Sequence, residues 1–145
     1  MNQKAEKFAE MLRQLPEDNV FEAREIEESE DHLVLFQSSL EVKENYFVPM
    51  GVFIDDSIFT VVRVAAMLDA VNGENRAQAR DYLAEMNRLY KFKHYVNEEG
   101  DVLVDAVIPA DAEHFDPEIV AAVIDMLWDH LKQQYEAMEK AVKGE

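Results

Sequence analysis

The chain has no cysteine among its 145 residues. Disulfides, thiolate nucleophiles and thiolate metal sites are therefore excluded, and an oxidising compartment is not needed for folding. Glycine is scarce, with four residues in no cluster, so no Gly-rich loop can cradle a phosphate. Basic residues are also few: 14 Lys and Arg stand against 31 Asp and Glu, for a formal charge of −17. Nucleic acid and anionic membrane surfaces are held through Lys and Arg, so neither is expected as a partner. The most apolar run, Ile58 to Val71, is broken by Arg63 and Asp69 and is too short to span a bilayer. The stretch MNQKAEKFAEMLRQL is amphipathic and lacks the unbroken apolar centre of a signal peptide. The expectation is a cytoplasmic protein.

What is present suffices for one packed domain over 1–145. Hydrophobic residues make up 48% of the chain and aromatics 10%, which argues against disorder. Lys4 to Leu15 reads as a helix with Ala5, Phe8, Met11, Leu12 and Leu15 on one face, ended by Pro16. Val20 to Asp31 is acidic and weakly patterned; Val20–Ile26 fits an edge strand or a helical continuation. Three antiparallel strands follow at Leu33–Val42, Tyr46–Ile54 and Ile58–Met67. Pro49 and Gly51 give the middle one an irregularity or an edge position. Asn75 with Gln78 has the spacing of a capping box and opens a helix to Tyr90. A third helix, of roughly 40 Å, starts at Asp116-Pro117 and runs to Val142.

The most informative stretch is Asn87 to Pro109, NRLYKFKHYVNEEGDVLVDAVIP. Asn97-Glu98-Glu99-Gly100 suits a type I turn with Gly100 at positive φ, forming a bulge. That register sets Val96 opposite Val102, Tyr95 opposite Leu103, His94 opposite Val104 and Lys93 opposite Asp105. Phe92, His94 and Val96 then share a face with Val102, Val104 and Ala106, while Lys93 and Asp105 make an opposite-charge pair on the other. A one-residue slip would exchange the faces and break this agreement.

Catalytic patterns fail one by one. VFIDDS at Val52 and VLVDAVIP at Val102 imitate the acidic pair and the acceptor strand of a response-regulator receiver. Too little chain follows Asp105 for the hydroxyl- and lysine-bearing strands such a site requires, so Asp55 and Asp56 read as turn residues. His32, His94, His114 and His130 have no metal-ligand spacing, and His94 on an apolar strand face reads as a hydrogen-bonded core residue. Ser38, Ser39 and Ser57 lack a nucleophile elbow. No catalytic, cofactor-binding or metal residue is assigned, and the chain reads as non-enzymatic.

The order of elements, α-β-β-β-α-β-β-α with room for an extra N-terminal edge strand, is an α+β fold: an antiparallel sheet packed by helices. Together with EMNRLYKFKHYVNEEGDVLVDAVIP, it resembles the YbjN family of bacterial sensory transduction regulators. Asn87, Gly100-Asp101 and Pro109 match that family's pattern. The resemblance implies a fold like the type III secretion chaperones, which are small, acidic, usually homodimeric proteins that hold an extended client segment. It brings no catalytic residues. The expected function is a protein-interaction or regulatory module. The alternatives are a dedicated chaperone and a small enzyme or ligand sensor with a site assembled across the fold. A protein partner or client of amphipathic or basic character is expected, together with a homodimer. The residues assigned to the partner or dimer face are Tyr95, Leu103, Val107, Trp128 and Tyr135. The first three carry apolar surface on the hairpin's second face, and the helix bears more apolar surface than one stripe needs.

Overall fold

A computed structural model describes residues 1–16 and 21–144. The chain runs α1 (Gln3–Arg13), β1 (Glu22–Glu25), β2 (Val34–Lys43), β3 (Tyr46–Ile54), β4 (Phe59–Met67), α2 (Arg76–Leu89), β5 (Lys93–Val96), β6 (Val102–Pro109) and α3 (Pro117–Lys143). The strands form one antiparallel sheet in the order β1-β2-β3-β4-β6-β5. The α+β class holds, and the extra edge strand is real, at Glu22–Glu25. Residues 17–20, and with them the start of the Val20–Ile26 reading, lie outside the described residues. Among those described, no helix is long and apolar enough to cross a membrane.

Alternation along each strand sends one residue in two to the helix-covered face. Val34, Phe36 and Leu40 of β2 meet Val48, Met50, Val52 and Ile54 of β3, Val62, Val64 and Ala66 of β4, and Val102 and Val104 of β6, all buried in one core. The helices lie over that face only. From α1 come Ala5 and Phe8, the latter edge-on to Phe36 at 4.9 Å between ring centroids. From α2 come Ala79 and Leu83. Along α3, Val120, Ile124, Leu127, Leu131, Tyr135, Met138 and Val142 recur at three- and four-residue steps and are buried. Each large side chain so buried contributes about 1.5–3 kcal/mol before entropy is charged against it.

The ends of the helices are tied to the sheet by side chains. Asn2 caps α1 by accepting from the Ala5 amide, and its own amide donates to the carbonyls of His32 and Ile54. Asp116 caps α3 from its side chain, with Pro117 at the first helical position as expected. The expected capping box at α2 does not form. Asn75 makes no side-chain bond to its own helix. It donates to the Ala70 and Val142 carbonyls, and Gln78 donates to those of Ala141 and Val142. Both amides serve the unsatisfied carbonyls at the end of α3 instead.

β3 is an interior strand rather than an edge. Pro49 is tolerated because pairing with β4 begins only at Met50↔Val64; past Val64, β4 stays paired with β6 and no longer with β3. The irregularities fall elsewhere, between Glu41 and Lys43 on β2 and between Ala65 and Met67 on β4.

Candidate functional site

Among the described residues, no helix covers the second face of the sheet. Its composition follows from the register, which aligns side chains in rows across the strands. One row reads Glu22, Gln37, Gly51, Arg63, Asp105, Lys93 from β1 to β5. The next reads Arg24, Leu35, Phe53, Val61, Val107. On the other side of the polar row lie Ser39 and Pro49 of the β2–β3 pair, then Ala65, Leu103 and Tyr95. A polar row thus runs between two apolar ones. Val107 in the second row is 51% exposed, and beyond the rows, at opposite ends of the face, Phe59 is 51% and Phe47 59% exposed.

The middle of the face is built around Asp105, only 4% exposed although no helix lies over it. Arg63 grips it through both oxygens, with Nε and Nη2 each at 2.9 Å, and the Tyr95 hydroxyl donates to Oδ2 at 3.0 Å. The guanidinium lies over the Phe53 ring, 5.1 Å from its centroid, and the Lys93 ammonium lies over Tyr95 at 4.7 Å. The hydrogen bond to Asp105 holds the Arg63 guanidinium more firmly protonated than usual. Burial, then the Asp105 charge, raises the Tyr95 phenol. Asp105 therefore pairs with Arg63 rather than with Lys93, which stands directly across from it. A planar fork matches a carboxylate better than a point charge does. Beside this pair, Gly51 leaves a hollow of about 170 Å³, rimmed by Leu35, Pro49, Phe53, Ala65 and Leu103. A Cβ at Gly51 would come within 3.0 Å of Leu35 Cδ1 and 3.2 Å of Phe53 Cε1, so glycine lets these two side chains close over the backbone.

The residues assigned from sequence to a partner face separate here. Tyr95, Leu103 and Val107 share the uncovered face. Trp128 and Tyr135 lie on the opposite side and anchor α3. Trp128 Nε1 donates to the Glu41 carbonyl at 2.7 Å, and the Tyr135 hydroxyl to the Ala66 carbonyl at 2.8 Å. Both carbonyls belong to the two irregularities of the sheet, where the ladder leaves acceptors free. Tyr135 is fully buried. Each ring sinks its apolar body under α3 and uses its polar tip on the backbone. No protein-family model matches the chain, and no curated protein matches it either.

A second polar cluster lies under α3. His94 of β5 and His130 of α3 are buried with their Nε2 atoms 2.9 Å apart. His94 Nδ1 is 3.0 Å from the Phe92 carbonyl and 3.1 Å from Asn87 Oδ1. Both are acceptors, so Nδ1 carries the proton, His94 Nε2 accepts, and His130 Nε2 donates to it. Tyr90 and Phe92 stack near His130, at 4.6 and 5.1 Å between ring centroids. Desolvation lowers both histidines, His130 to about 4 with the neighbouring His94 adding to the shift. His32 and His114 are exposed and pair with Asp56 and Asp111. Among the described residues no three His, Cys, Asp or Glu gather as a metal site requires.

Asn87, singled out in the sequence only by resemblance, has a physical role. Its Nδ2 donates to the His94 carbonyl at 2.9 Å and its Oδ1 accepts from the His94 amide at 2.6 Å. The side-chain amide thus imitates a neighbouring strand along the free edge of β5 and closes it to further pairing. Asn87→Leu should cost about 2 kcal/mol, since two backbone groups lose their partners. Chemical denaturation is the check; an unchanged midpoint would mean that water replaces the amide at no cost.

Proposed function

We propose that this chain is a non-enzymatic protein-interaction module of the cytoplasm, and that its working surface is the uncovered face of the sheet. The observation that carries this reading is the apolar exposure of that face beside a polar centre already satisfied within itself. Large contiguous apolar patches on a water-facing surface mark interaction sites. The Arg63–Asp105–Tyr95 cluster engages its own charges, so it serves as a shaped, rigid centre more readily than as a reacting group. The resemblance to YbjN-like regulators agrees with a binding role, and its chaperone aspect would place a client on the same face.

The test is retention of partners from the native cell by the wild-type chain and by Val107→Glu. Val107 is half exposed, so a carboxylate there leaves folding intact while placing an unpaired charge in the apolar row. Proteins held by the wild-type chain should be lost from the variant. An identical set retained by both would remove the face from consideration.

A further inference from the structure

We infer that the uncovered face is where two copies of this chain meet, stacked sheet on sheet about a twofold axis that runs parallel to the strands between β3 and β4. The inference rests on that face being the working surface and names its occupant.

Charge is the first argument. The chain carries −17, yet on this face Glu22, Glu41 and Asp105 are balanced by Arg24, Arg63 and Lys93. The whole excess of acid therefore sits elsewhere on the molecule. A basic client would be drawn to an acidic surface, whereas a second copy of so acidic a chain can approach only through a neutral one.

The order of side chains supplies the second argument. An isologous interface must be complementary to itself. An axis along the strands reverses each row, so that β1 meets β5, β2 meets β6 and β3 meets β4. Glu22 then faces Lys93, Gln37 faces Asp105, and bare Gly51 faces bulky Arg63. In the next row Leu35 faces Val107 and Phe53 faces Val61. An axis along the rows would instead set Arg63 on Arg63 and Asp105 on Asp105. Only the first arrangement matches every charged position of the polar row with an opposite or neutral one.

Size agrees. Six strands of four to ten residues, about 4.8 Å apart, present roughly 700 Å² in projection, close to the roughly 800 Å² per partner of a stable interface. Sheets packed in this aligned manner cross by about 30°, an offset that Lys93 and Glu22, both long, can bridge at the ends of the row.

Glu22 and Lys93 lie on opposite edge strands of one chain, about 24 Å apart, so any coupling between them must pass through a second copy. The experiment is sedimentation equilibrium on the full chain with Lys93→Glu, Glu22→Lys and the double swap. Both residues are exposed, so folding is not at stake. The wild type should approach twice 16.7 kDa, and more completely as salt screens the remaining charge. Each single swap should weaken association by roughly tenfold, and the double swap should restore it to within a few-fold. A mass of 16.7 kDa at every concentration up to roughly 100 μM would overturn the inference. So would a dimer indifferent to the single swaps, or single losses that the double swap does not repair. If the chain proves monomeric while Val107→Glu still loses a native partner, the face keeps its role and only the second copy is removed as its occupant.

Discussion

Gly100→Val should destabilise the fold by roughly 3 kcal/mol, a large part of the stability of a domain this size. Two causes add. Gly100 sits at φ 83°, where a β-branched residue is strained. A Cβ there would also fall 2.3 Å from the Val71 carbonyl oxygen. That contact cannot relax cheaply, because the Gly100 carbonyl accepts from the amides of both Ala70 and Val71 and clamps the turn against the loop before α2. Gly73→Ala is the matched control: nothing lies within 4 Å of its added carbon, and its effect should stay within about 0.5 kcal/mol. Equal denaturation midpoints for the two variants would contradict the turn geometry.

Acid should unfold the protein through the histidine pair. Both folded-state pKa values are lowered, His130 to about 4 from an ordinary 6.5. The unfolded chain therefore binds more protons than the folded one between these values, and stability falls as pH drops through that window. The first proton can go to His130 Nδ1 and leave the Nε2 bond intact; the second sets two N–H groups against each other. Between pH 7 and 4 the loss should be about 2 kcal/mol. His130→Phe, which keeps an aromatic ring against Tyr90 and Phe92, should flatten the dependence over pH 4 to 6.5. An unaltered profile in that variant would assign the acid sensitivity to the carboxylates instead.

The hairpin was legible in the sequence because its determinants are local. Asn97 accepts from the amides of Glu99 and Asp101, Gly100 takes the positive φ, and the pairing of Val96 with Val102 through Lys93 with Asp105 follows. Strand alternation likewise placed β2, β3 and β4 to within a residue or so of their ends. What could not be read were contacts between distant residues. Arg63 and Asp105 are brought together only when β6 docks beside β4; their trace in the sequence was a lone charge in the middle of each of two apolar strands. The pattern of α3 showed a broad apolar stripe but not where the sheet bulges. Trp128 and Tyr135 therefore looked like surplus surface, when they are the side chains that satisfy Glu41 and Ala66. Asn75 and Gln78 had the right spacing for a local cap and were drawn away by the end of α3, a competitor with no local signature.

The absence of cysteine makes the cover over the sheet face directly measurable, since a single introduced thiol is unique. Val107→Cys places it on the uncovered sheet face, and Met126→Cys on α3, where Met126 is 61% exposed. Maleimide labelling rates of each, in native-cell extract and in concentrated and dilute purified protein, report which surface is covered at work. The thiol at 107 should label more slowly in the extract, and in purified protein concentrated enough for two copies to associate, than in dilute purified protein, while that at 126 labels at one rate throughout. Equal labelling of the thiol at 107 in all three settings, or protection at 126 alone, would contradict a covered sheet face.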